Sequence, residues 1–138
     1  MTSCMASRTE CYVDTSALIA FLDRSDSYHS LFRRLFAIPP TLVSSALVIA
    51  EGHGWFLRRY DQSRALQFLA LVRELPGFTI HPFGTPELGK VEEVVKKYSD
   101  QKLTLADAHG IAIMREHKTS VCWSTDRHLT LSGARLVI

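Results

Sequence analysis

Apolar residues recur along this chain in two rhythms. Short unbroken runs such as "YV" at 12–13 and "VCW" at 121–123 alternate with longer stretches where they return every three or four positions. The first rhythm predicts buried strands, the second amphipathic helices. A strand is predicted at 11–14, and "TSALIAFLDR" follows as a short helix with a hydroxyl at its start. "SDSYHSLFRRLFAI" continues as a second helix, with Tyr28, Leu31, Leu35 and Ile38 on one face and Arg33 and Arg34 off it. Pro39-Pro40 stops that helix. "TLVS" reads as a brief strand, "SALVIAEGHGWFLRRY" as a helix, and "QSRALQFLALVREL" as a strongly periodic helix ended by Pro76-Gly77. "FTIHPF" is a strand, and "TPELGKVEEVVKKYS" a helix with Pro86 near its first turn. "TLADAHGIAIMREH" is a further helix, "TSVCWST" a strand, "DRHLTL" a turn with a helical turn, and "ARLVI" a last strand.

Strands alternating with helices predict an α/β fold, a three-layer α/β/α sandwich around a mostly parallel sheet. Such sheets bind ligands beyond the carboxyl ends of their strands, so strand-end residues merit inspection. With 138 residues and no internal repeat or long linker, a single domain is expected over 11–138. Residues 1–10, "MTSCMASRTE", carry no secretory apolar core and are expected to be a disordered lead-in or an expression remnant. No apolar run is long enough to span a membrane. Cys4, Cys11 and Cys122 form no metal-type pair, which favours reduced thiols and a cytoplasmic location. A net charge of +2 argues nothing about nucleic acid by itself.

Four acids sit where an apolar core element is expected to be dry. Asp14 follows "YV" at the end of the first strand, and Asp126 ends a later one. Each alone is as readily a helix or turn cap. Asp107, three residues after Thr104, fits a capping box, yet its neighbours are almost all apolar. On a helical wheel Glu51 shares a face with Leu47, Val48 and Trp55, while Arg58 is seven residues away and a poor direct partner. Gly52 and Gly54, each costing about 1 kcal/mol relative to alanine in a helix interior, point to close packing or an irregular helix. If the four acids converge, each pair at 4 Å repels by roughly 4 kcal/mol at an effective dielectric near 20. Cations or protons must then neutralise them. An all-oxygen donor set selects a hard divalent ion, Mg²⁺ or Mn²⁺, and such ions point to phosphate chemistry.

These four segments, in this order, resemble the PIN-domain ribonucleases, specifically the VapC-type toxins of bacterial and archaeal toxin–antitoxin pairs. "YVDTSALIAFLD" resembles the opening strand, "SALVIAEGHGWFLRR" the second motif, "LTLADAHGIAIMRE" the third and "VCWSTDRHLTLSGARLVI" the last. The resemblance implies that Asp14, Glu51, Asp107 and Asp126 form a catalytic, metal-binding quartet supported by Ser16 and Thr125. It implies an endoribonuclease that uses one or two Mg²⁺ or Mn²⁺ ions, pairs as a homodimer and is restrained by a cognate antitoxin. A PIN nuclease with a housekeeping RNA or DNA substrate, or a non-catalytic binding module of the same fold, are the alternatives. Four retained acids speak against the latter, because carboxylates alone repel RNA phosphates.

Arg127 and His128 follow Asp126 and are candidates for RNA-phosphate contacts, equally well explained as surface residues. The pairs Arg33-Arg34 and Arg58-Arg59 read as solvated helix ends, and His53 and His109 as packing residues. Trp55, Phe56, Tyr60, Phe68, Leu69 and Leu71 exceed one amphipathic face. Core packing explains them blandly; a homodimer surface with a groove for a partner helix is the sharper expectation.

Overall fold

Strand β1 (Glu10–Val13) sends Cys11 and Val13 into one core and Tyr12 into the other, the alternation a strand buried on both faces requires. In this computed structural model, which describes residues 10–138, that split organises the whole molecule. The expected lead-in falls outside the described residues except for Glu10, which opens β1.

After β1 come α1 (Thr15–Leu22), α2 (His29–Ala37), β2 (Thr41–Ser45), α3 (Ala46–Arg59) and α4 (Gln62–Glu74). Then follow β3 (Phe78–His81), α5 (Thr85–Lys97), a 3₁₀ turn (Ser99–Gln101), α6 (Leu105–His117) and β4 (Val121–Trp123). A 3₁₀ segment (Arg127–Ser132) and β5 (Arg135–Leu136) close the chain. The five strands stand in the order β3-β2-β1-β4-β5, and every pairing is parallel. One face carries α1 to α4 over Leu18, Phe32, Phe56, Phe68 and Trp123. The other carries α5 and α6 over Tyr12, Val43, Val91, Ile111 and Met114. This is the expected three-layer sandwich. The chain leaves β1 towards β2 and β3, then crosses back to place β4 on the other side of β1. Strand order therefore reverses between β1 and β4, and a crevice opens beyond their carboxyl ends.

Three local expectations are corrected. The helix predicted from 25 begins only at His29. Asp23 accepts from the Ser25 amide and Asp26 from the Tyr28 amide, and such side-chain turns compete with helical hydrogen bonding. The face that α2 buries is Phe32 and Phe36; Ile38, placed on the apolar face from sequence, is 89% exposed. The strand predicted over 119–125 keeps its regular part only from Val121 to Trp123.

The aromatic surplus of α3 and α4 is mainly core. Phe56 and Phe68 are fully buried, Trp55, Leu69 and Leu71 pack against them, and Tyr60 is 37% exposed. Gly52 explains itself here: a Cβ at that position would lie 2.3 Å from the Phe68 ring. No helix among the described residues is long and apolar enough to cross a membrane.

Candidate active site

The crevice beyond β1 and β4 is a cleft of about 410 Å³ whose lining includes Asp14, Ser16, Glu51, Asp107 and Asp126. All four predicted acids thus meet. Asp14 extends the β1–β4 ladder by donating its amide to the Trp123 carbonyl at 3.0 Å. It occupies the N-cap position of α1 yet makes no side-chain capping bond. Its carboxylate turns instead to two hydroxyls: Ser124 donates to Oδ2 at 2.9 Å and Ser16 donates to the same oxygen at 3.2 Å. The two serine oxygens are themselves 3.2 Å apart.

Asp107 is half-buried and closes a capping box with Thr104. Its amide donates to Thr104 Oγ1, and its Oδ2 accepts from the Thr104 amide, both at 3.1 Å. Capping and lining the cleft are therefore compatible, because the box uses only one carboxylate oxygen. Asp126 caps the 3₁₀ segment by accepting from the His128 amide at 3.0 Å, while its own amide donates to Ser124 Oγ at 2.8 Å. Glu51 differs from its expected setting. The buried stripe of α3 is Val48, Gly52 and Phe56, which leaves Glu51 exposed at the cleft edge. There the Thr15 hydroxyl donates to its Oε1 at 2.5 Å.

Among the described residues no lysine or arginine comes within 4.0 Å of any of these acids; Asp126 has only the His128 ring, at 3.2 Å. Burial, with a contribution from the Asp107 charge, pushes the Asp14 carboxyl up to about 6 against hydrogen bonds that favour its ionised form. Burial and the neighbouring Asp126 also raise Asp107. Concentrated negative charge held partly out of water, with oxygen donors and no lysine or arginine in contact with it among the described residues, is the environment a hard divalent cation fits. Arg58 lines the same cleft without pairing with an acid. Asp107, Asp126 and His128 each offer a donor atom, all within 4.8 Å of one another.

Two hydroxyls escape a reading of the sequence. Ser124 bridges Asp14 and Asp126, whereas Thr125, the residue singled out, contributes its amide to Ser16 Oγ at 3.0 Å. Tyr12 pairs with Cys122 and Val13 with Trp123, so continuing the register sets Ser124 beside Asp14. Only the register reveals this. Thr15 was likewise invisible as a partner for Glu51. Arg127 is exposed, while His128 lies beside Asp126 rather than apart from the acids. His109 is buried, with Nδ1 2.6 Å from Ser45 Oγ and its ring edge-on to Phe83, so it serves packing.

Residues 11–131 match the family model of the PIN domain. The chain belongs to that family. Ribonuclease VapC26 of Mycobacterium tuberculosis is 29% identical to it over 118 residues, covering 83% of this chain and 85% of the relative. Among solved structures, VapC20 of Mycobacterium tuberculosis, described as a sarcin-ricin loop cleaving toxin, superposes with a TM-score of 0.81. That match covers 91% of this PIN domain and 96% of VapC20 at 22% identity. A toxin–antitoxin complex from Klebsiella pneumoniae gives a TM-score of 0.59 at 20% identity, covering 93% of this chain and 96% of that one.

Proposed function

We propose that this PIN domain is a metal-dependent endoribonuclease toxin, restrained by a cognate antitoxin in the cytoplasm. The observation that carries the reading is the convergence of Asp14, Glu51, Asp107 and Asp126 in one cleft with no lysine or arginine in contact among the described residues. The ribonuclease and toxin descriptions of the relatives support the substrate class and the antitoxin.

Asp14, Asp107 and Asp126 are the residues that would hold Mg²⁺ or Mn²⁺, with Glu51 at the outer edge. Once bound, the ion supplies Lewis acidity and charge neutralisation for phosphodiester hydrolysis. The chain's own work is orientation. Ser16 and Ser124 hold Asp14 Oδ2, Ser124 ties Asp14 to the Asp126 backbone, and Thr15 steadies Glu51. Hydrogen-bonded partners of this kind set ligand direction and basicity in metal sites. Arg127 and His128, which follow Asp126 in the chain, are candidates for phosphate contacts. A homodimer belongs to the same reading: Leu57 on α3 and Leu66 on α4 are 45% and 54% exposed, apolar surface a second copy would cover.

The test is direct. Purified protein incubated with RNA and Mg²⁺ or Mn²⁺ is expected to cut internally, and EDTA is expected to stop it. Asp14→Asn and Asp107→Asn are each expected to abolish cleavage. Cleavage that persists in EDTA or in both variants overturns the mechanism. Growth arrest on expression, relieved by the same substitutions, distinguishes a toxin from a housekeeping nuclease.

A further inference from the structure

The acid cleft has a cationic residue in its wall that the carboxylates do not use. Arg58, on the last turn of α3, lines the cleft together with Trp55 and Glu51. It makes no ion pair within 4.0 Å among the described residues, with Glu51 or with any other acid. Side chains on a helix lean towards its N-terminus, and Arg58 lies back over Gly54, one turn earlier. A Cβ built on Gly54 would stand 2.9 Å from Arg58 Nη1.

That contact accounts for a glycine that backbone conformation does not. Gly54 has no left-handed φ and sits in the interior of α3, where glycine is a poor helix former. Gly52, two residues before, is needed by the Phe68 ring; the atoms nearest to a Cβ at Gly54 all belong to the Arg58 guanidinium. The missing side chain leaves a seat for a guanidinium at the mouth of the acid cleft.

We infer that Arg58, seated on Gly54, is a binding position for an RNA phosphate at the cleft mouth. Three features favour that ligand. A guanidinium offers a planar fork of donors matched to phosphate oxygens. Its charge is not committed to a side chain. It lies beside carboxylates that would otherwise repel the substrate's backbone, so it favours entry of the strand along the α3 side. Gly54 acts through Arg58 and is a positioning residue. The inference rests on the ribonuclease reading above.

The experiment measures binding of a single-stranded RNA oligonucleotide to the cleavage-deficient Asp14→Asn protein by fluorescence anisotropy, over about 50 to 200 mM salt. Arg58→Gln in that background is expected to weaken binding by roughly fivefold to tenfold and to reduce the slope of log Kd against log salt by about 0.7, one released counterion. Arg58→Lys is expected to keep the slope while recovering part of the affinity, since charge remains but the fork is lost. Gly54→Ala is expected to shift the flexible Arg58 guanidinium and weaken binding less than Arg58→Gln does, with the salt slope kept and a melting temperature at or above that of its parent. Combining Gly54→Ala with Arg58→Gln is expected to add no further loss. An unchanged slope in Arg58→Gln overturns the assignment of Arg58, and parental binding by Gly54→Ala removes Gly54 as its positioning residue; both leave the ribonuclease reading intact. Failure of both the Asp14→Asn parent and the unmodified protein, each with Mg²⁺, to bind any RNA overturns both.

Discussion

Asp14 and Asp107 both stand at the entrance of a helix beside the same cleft, Asp14 at the N-cap of α1 and Asp107 in the first turn of α6, yet their carboxylates behave oppositely. At the entrance of α6, Asp107 completes a capping box with Thr104, and the 3₁₀ segment likewise uses Asp126 as its cap. These two acids contribute to folding whether or not a cation is present. At the β1–α1 junction, Asp14 stands in the N-cap position but its side chain makes no capping bond. It is 7% exposed, bonded to Ser124 and Ser16, and held where ionisation is disfavoured. A residue that destabilises the charged cleft and gives the helix no side-chain cap is explained by what the cleft binds. The difference separates acids with two jobs from an acid with one.

The largest expected effect tests the role of Asp14 in chemistry. Asp14→Asn is expected to lower kcat by about 10³-fold or more, equivalent to about 4 kcal/mol. Single-turnover cleavage of a defined RNA measures it, and a loss under tenfold removes Asp14 from the metal-holding set.

The next concerns proton linkage. The folded protein holds the Asp14 proton up to about 6 against an ordinary value of 3.8. Between those values the folded state binds more protons than the unfolded chain. Stability is therefore fully present below the lower value and lost as pH rises through the upper one. For Asp14 alone the loss is about 3 kcal/mol, and the raised Asp107 adds to it in the same direction. Urea unfolding in EDTA from pH 4 to pH 8 is expected to show this decline, and Asp14→Asn to flatten it. A metal-free protein that gains stability across that range contradicts the account.

Ser124 and Thr125 sharpen the comparison further. Ser124→Ala removes the hydroxyl that joins Asp14 to the Asp126 amide and is expected to weaken metal binding by roughly 10- to 100-fold. Thr125→Val leaves the Thr125 amide in place and is expected to change the same calorimetric titration less than about threefold. Reversed ranks would show that Thr125, not Ser124, orients the site. The smallest effect is structural. Thr104→Val is expected to cost the metal-free protein about 1 kcal/mol through loss of the capping box that Asp107 completes, whereas Asp14→Asn stabilises it above pH 6. Opposite signs in thermal melts at pH 7.5 would confirm the division between the two acids, and equal signs would remove it.

Much of this was legible in the order of residues. The alternation of strand and helix rhythms set the α/β class, because each rhythm reflects which side chains a local geometry can bury. The acids stood out because strand ends and apolar helix faces do not tolerate charge without a reason. Local patterning was less reliable where two faces compete: of Tyr28, Leu31, Leu35 and Ile38, the core took Leu31 and Leu35 only in part and left the other two exposed, while it buried Phe32 and Phe36. Glu51 looked buried on a wheel because the wheel does not say which stripe the core will choose. It chose Val48, Gly52 and Phe56.

The sequence by itself determined the element order, the two-sided sheet and the identities of the four acids, since these depend on periodicities of 2 and 3.6 and on residue chemistry. Only the tertiary structure decided which hydroxyls hold which acid. Ser124 meets Asp14 through the parallel register of β1 and β4, across 110 residues of chain. Thr15 meets Glu51 only when α1 and α3 pack on one face. The seat of Arg58 on Gly54 belongs between the two: its one-turn spacing is written in the chain, but its place in the wall of the cleft is not. Such contacts depend on strand order and packing, which no local pattern of residues encodes.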